Sequence, residues 1–218
     1  MIYNNANELI EDALKMDDLL YVYNIINLGE AVYQDILGMQ ESTFSSKFFI
    51  GVRPRIRTAT ISTQFEQELL SKDFPFNSTS VEVNSFKYAI PELSNDKVIL
   101  HIARVQHSYE LPSASKYRVK KAILNNFKEK QMIYTDQDIP KIDNEKYYAL
   151  ITYGGKEKID FINLIVPDMN FKNILGYRDL TNLDMMYKNK KVDTEENMIK
   201  RRMRLKEEVL KKIQIQGV

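Results

Sequence analysis

Three arginines alternate with other residues at Arg53-x-Arg55-x-Arg57. In an extended strand, alternate side chains share one face at about 6.5–7 Å, close to the spacing of successive phosphates along one nucleic-acid strand. The planar guanidinium fork also suits bidentate phosphate contacts better than an ammonium does. A second basic run reads Ser113-x-Ser115-Lys116-Tyr117-Arg118-Val119-Lys120-Lys121 and opens a predicted helix. Bases there oppose the helix dipole, so the run calls for an anion held by them, by the hydroxyls of Ser113 and Ser115 and by free backbone N–H groups. Arg104 and His107 lie just upstream, and Tyr109 and Tyr117 offer rings for base stacking. A third run, Lys200-Arg201-Arg202-x-Arg204-x-Lys206, is tempered by Glu207 and Glu208. The competing readings are, for the first run, a solvated strand face paired with acids of the N-terminal helices, for the second, a tolerated basic helix with Ser113 or Ser115 only as N-cap, and for the third, a plain solvated face.

Most catalytic chemistry is absent. With no Cys in 218 residues, disulfides, thiolate zinc sites, iron–sulfur clusters and cysteine nucleophiles are excluded. The two histidines, His101 and His107, are six apart, and H-E-x-x-H does not occur. His101 falls in an apolar strand pattern, the setting of a hydrogen-bonded core histidine. No Gly-rich nucleotide fingerprint and no G-x-S-x-G elbow exists, and Gly154-Gly155-Lys156 reads as a hairpin turn. A restriction-type nuclease needs an acid, one residue, then Lys, and no Asp or Glu here has a Lys two positions on. Asp160 and Asp168, at strand ends, are the candidate carboxylates of a divergent metal-dependent nuclease. No catalytic residue, metal ligand or cofactor is assigned.

Positioning these runs requires a folded core. The chain is a normal length for one domain, and 44% hydrophobic with 28% charged residues is globular composition. Three parts are distinguished within a single domain over 1–218: an acidic helical part over 1–41, a core over 42–187 and a basic helix over 188–218. Residues 1–41 carry eight acids and one base, whereas 188–212 carry ten bases and five acids. That gradient hides beneath a net charge of +1 and predicts either docking of the two ends or contact with a polyanion.

Asn5-x-x-Glu8 marks a helix start, Asp17-Asp18 a second, and Gly38 a stop. Gly29 sits inside the apolar stripe. Residues 47–60 alternate, with Phe48, Ile50, Val52 and Ile56 predicted inward on a strand and Pro54 marking it as an edge. Thr63-x-x-Glu66 predicts a further helix start. Strands are expected over 81–88, 97–106, 147–153 and 158–166, with a turn at 91–96 and a helix of about 15 residues after Ser115, its inner face Val119, Ala122, Ile123 and Phe127. The expected fold is α+β, a mainly antiparallel sheet flanked by N-terminal helices and a long basic C-terminal helix.

No signal peptide is read at the N-terminus, and apolar runs reach only about five residues, as at Leu19–Tyr23, so a cytoplasmic protein without membrane contact is expected. The leading functional expectation is a non-catalytic nucleic-acid-binding accessory or regulatory protein using Arg53, Arg55, Arg57, Arg104, Ser113, Ser115, Lys116, Arg118, Lys120 and Lys121. The alternatives are a protein–protein interaction, inhibitor or homodimeric module using the terminal helices, with 188–213 as its contact, and the divergent nuclease.

Overall fold

The computed structural model describes residues 2–39, 44–83, 88–127 and 146–183. Helix α1 (Ala6–Ala13) begins as its sequence requires: Asn5 is extended and its side-chain oxygen accepts from the N–H groups of Asn7 and Glu8 at 2.9 and 3.1 Å. Glu8 turns back to the Asn4 N–H at 2.8 Å, one residue earlier than a capping box would place it. Helix α2 (Met16–Met39) carries Asp17 and Asp18 in its first turn, where the dipole favours them. It runs through Gly38 instead of stopping there.

Residues 47–60 are not a strand. Lys47–Ile50 makes one helical turn, α3, and Arg53–Thr63 forms α4. Pro54 lies in the first turn of α4, where its missing N–H had no helical partner. The expected inward face does not form: Phe48 is 90% exposed, and Ile50 and Val52 are exposed beside it. Thr63 closes α4, and only a short 3₁₀ turn (Gln67–Leu69) follows where a helix start was expected. Gly29 allows α4 to lie directly on α2, since a β-carbon there would meet the Cα of Ile61 at 2.6 Å.

Six strands form one sheet in chain order: β1 (Asn77–Glu82), β2 (Ala89–Ser94), β3 (Val98–Arg104), β4 (Tyr147–Gly154), β5 (Phe161–Pro167) and β6 (Ile174–Asp179). All neighbours are antiparallel except β3 and β4, which run parallel. A parallel pair needs a crossover, and α5 (Lys116–Ala122) lies in it. This helix is seven residues, shorter than expected, and passes into a 3₁₀ turn at Ile123–Asn125. Ile123 is exposed, not inward. β2 occupies residues expected to turn. Its ladder with β3 covers only Glu92–Ser94, so Pro91 costs that ladder no donor. β6 has no counterpart among the expected strands, while the β4–β5 hairpin forms around Gly154-Gly155 as expected.

Helices α1, α2 and α4 cover one face of the sheet over Leu100, Ile102, Ala149, Ile151 and Leu164. The other face, with Ala103, Tyr148, Leu150 and Ile165, packs against Ala122 and Val119 of α5. The chain is therefore α+β with a six-stranded, mostly antiparallel sheet and N-terminal helices. The basic helix expected over 188–218 lies outside the described residues. No described helix is long and apolar enough to cross a membrane.

Candidate anion site where β3 and β4 end

Because β3 and β4 are parallel, their carboxyl ends reach the same end of the sheet, with Arg104 opposite Tyr153. Open sheets bind ligands in crevices outside such strand ends. Around this point α4 places Arg53 and Arg57, α2 places Glu30, Tyr33 and Gln34, and the β4–β5 turn places Gly155.

Arg57 is only 2% exposed. Its Nε and Nη2 donate to the two Glu30 oxygens at 2.6 and 2.5 Å, and its Nη1 donates to the Gly155 carbonyl at 2.9 Å. The guanidinium also stacks over Tyr33, 5.3 Å from the ring centre. Burial works against this charge, but the hydrogen bonds and charge of Glu30 outweigh it and hold the Arg57 pKa above its ordinary value. Gln34 donates to Glu30 at 2.8 Å and to the Glu157 carbonyl at 2.7 Å, tying the hairpin turn to α2.

Arg53 donates through Nε and Nη2 to the Phe44 carbonyl at 3.0 and 2.7 Å, which leaves donors of the fork for another acceptor. The Nε of Arg104 is buried and has no hydrogen-bond partner among the described residues. Tyr33 reports the convergence. Burial raises its pKa, Arg57 and Arg53 lower it, Glu30 raises it and Arg104 lowers it. Three guanidiniums and one carboxylate thus act on a single phenol. Tyr153, on the same face, is pushed up to about 12 by burial, with Arg104 and Arg57 again acting against the rise.

The alternating arginine strand is corrected by this geometry. In a helix, residues two apart are about 200° apart around the axis, so Arg55 points away from Arg53 and Arg57 and is exposed. Arg57 is committed to Glu30 and to the Gly155 carbonyl. Arg104, expected to serve the second run, instead joins the first.

The second run lies on the opposite layer. Arg118 donates to the Ser113 carbonyl at 2.7 Å and stacks over Tyr117 at 5.1 Å, and its Nε is buried without a partner. Lys121 pairs with Glu92 at 2.7 Å. Lys116, Lys120 and Ser113 are exposed, and Ser115 holds the N-cap position without a side-chain cap bond. The two runs are therefore separated by the sheet, and the third lies outside the described residues.

Glu92 also accepts from His101, whose Nε2 lies 2.8 Å away, while His101 Nδ1 lies 3.0 Å from the Tyr148 hydroxyl. The bond from His101, against the opposing effect of burial and with help from Lys121, holds the Glu92 pKa down at about 2. An ionised carboxylate only accepts, so Nε2 carries the proton and Nδ1 accepts from Tyr148. His101 is 1% exposed and is the hydrogen-bonded core residue expected of it. Asp168 accepts from the N–H groups of Lys172 and Asn173 and organises a turn. Asp160 sits in the hairpin turn, where its N–H donates to the Gly154 carbonyl. Among the described residues no group of three or more metal-ligating His, Asp or Glu side chains exists.

Sequence reasoning missed Glu30, Tyr33 and Tyr153. Glu30 did leave a signal: it stands on the apolar stripe between Ile26 and Tyr33, where a lone acid needs a buried partner.

No family model matches the chain, and no solved structure matches it. A β-1,2-mannobiose phosphorylase from Thermoanaerobacter sp. (strain X514) is 25% identical over 164 residues, taking in 68% of this chain and 54% of the enzyme. The chain thus spans about half the length of the curated relative it matches.

Proposed function

We propose that the chain is a nucleic-acid-binding accessory protein that grips backbone phosphates with Arg53 and Arg104. The observation that carries this reading is Arg57 held by Glu30 and Gly155 over the Tyr33 ring, with Arg53 one turn earlier on the same helix and Arg104 at the end of β3 opposite Tyr153. Glu30 is committed to Arg57, and no carboxylate among the described residues pairs with Arg53 or Arg104, so their charge is offered to a ligand. Arg57 acts as a positioning residue that fixes α4 against α2 and the Gly155 turn. Contacts of this kind hold phosphates without reading bases, so little sequence preference is expected. The exposed Lys116 and Lys120 lie across the sheet and belong to no short ligand held at this site.

The experiment is fluorescence anisotropy with a labelled single-stranded oligonucleotide and its duplex. Replacing Arg53 and Arg104 together by Gln weakens binding of both, whereas Arg55→Gln leaves it near the parent. Equal binding by parent and double variant, with both folded, overturns the assignment.

The likeness to a phosphorylase favours a second reading, in which the same two arginines hold inorganic phosphate as a reactant. It predicts phosphate-dependent cleavage of β-1,2-mannobiose, abolished by the double variant. Absence of cleavage by the folded parent removes it.

A further inference from the structure

Strand β1 closes one side of the sheet and pairs, among the described residues, only with β2. The Val83 N–H donates to the Tyr88 carbonyl at 2.8 Å, and the same register sets Val81 against Ile90 and Thr79 against Glu92. Hydrogen bonding alternates along an antiparallel ladder. Thr79 and Val81 therefore turn their backbone groups to β2, while Ser78, Ser80 and Glu82 turn theirs to the outer edge.

At Ser78 that edge is already engaged. Its N–H donates to the Gln67 side-chain carbonyl at 3.3 Å, and its hydroxyl donates to the Phe65 carbonyl at 2.5 Å. A side chain stands there in place of a neighbouring strand. Ser80 and Glu82 have no such cover among the described residues.

A cleft of about 580 Å³ runs beside this edge, between β1, the start of β2 and the end of α4. Phe65, Ile90 and Pro91 give it an apolar floor, and Glu66 and Glu68 stand on its rim. Among the described residues that line it there is no Lys, Arg or His, so the charge they carry is opposite to that of the arginine site.

We infer that this cleft docks an extended, basic segment of a partner protein, which adds to β1 as a further strand. The outward backbone groups of Ser80 and Glu82, uncovered among the described residues, supply the pairing, and such edges are templates for it. The cleft-facing side chains of the incoming strand, Lys or Arg, lay their stems over the apolar floor and bring their charges to Glu66, Glu68 and Glu82, which stand on that same face. The apolar residues between them face away from the cleft. The arginine cluster plays no part in this contact.

The test uses the full chain and a labelled peptide of alternating Lys and Val, followed by fluorescence anisotropy. The same peptide N-methylated at alternate residues keeps its charge but cannot pair on that edge. Binding weakens by about tenfold or more on N-methylation, the loss of one or two backbone hydrogen bonds. An Asp and Val peptide gives no saturable binding, and Glu66→Lys with Glu68→Lys weakens the basic peptide while circular dichroism stays unchanged. The inference is overturned if the Lys and Val peptide does not bind, or if its N-methylated form binds equally well.

Discussion

Arg57 and Glu30 join α4 to α2 by a two-pronged ion pair, with nitrogen–oxygen distances of 2.6 and 2.5 Å. Both charges are out of water, so removing one leaves the other stranded. Arg57→Met or Glu30→Met alone is expected to cost about 3–5 kcal/mol. The double change to Met removes both charges and is expected to recover most of that loss. Urea unfolding of the three variants checks this, and single variants within about 1 kcal/mol of the parent would contradict a buried pair.

The His101–Glu92 contact makes stability fall on the acid side in two stages. Burial lowers the His101 pKa below its ordinary 6.5, so the folded chain refuses a proton that the unfolded chain accepts. Its contribution is complete above about 6.5 and is lost as pH falls toward the lowered value. Glu92 stands at about 2 against an ordinary 4.5, so its share is complete above 4.5 and disappears between there and about 2. That shift corresponds to roughly 3 kcal/mol at neutral pH. Unfolding free energies taken from about pH 7.5 down to 4 should decline first through the histidine range, and His101→Gln should remove that first decline. A flat profile between about pH 7 and 5 would show that His101 is not held neutral.

Two glycines in α2 separate packing from helix propensity. Alanine at Gly29 would place a β-carbon 2.6 Å from the Ile61 Cα, whereas Gly38 has nothing within 4 Å. Gly29→Ala therefore destabilises by about 1–3 kcal/mol through displacement of α4, despite its better helix propensity. Gly38→Ala is expected to stabilise by about 0.4–1 kcal/mol. Thermal melts of the two variants moving in the same direction would contradict the close helix contact.

The features legible in the sequence were those whose causes are local. Asn5 caps its helix through groups two and three residues away, and Gly154-Gly155 turns a hairpin whose strands flank it. The 47–63 stretch was not legible, because alternation of apolar residues and Pro54 fit a strand edge as well as a helix start. In the helix that forms, Arg57 meets Glu30, 27 residues upstream on α2, a contact that no local spacing records. The site behaved likewise: Arg53 and Arg104 were both picked out by residue type. Arg104 stands at a shared carboxyl end of the sheet because β3 and β4 run parallel, which no local spacing records. β2 was read as a turn because Pro91, Asn95 and Asp96 are turn residues, and only the short β3 ladder explains why a proline is tolerated there.

The central claim is that Arg53 and Arg104 contact phosphates, and the salt dependence of oligonucleotide binding tests it most directly. Each phosphate contact contributes about 0.7–0.9 to the slope of log affinity against log salt, so these two arginines contribute roughly 1.4–1.8. The parent should show at least that slope, and the folded Arg53→Gln, Arg104→Gln variant should lose that amount while Arg55→Gln keeps it. An unchanged slope in the double variant, or no salt-dependent binding by the parent, would contradict the account.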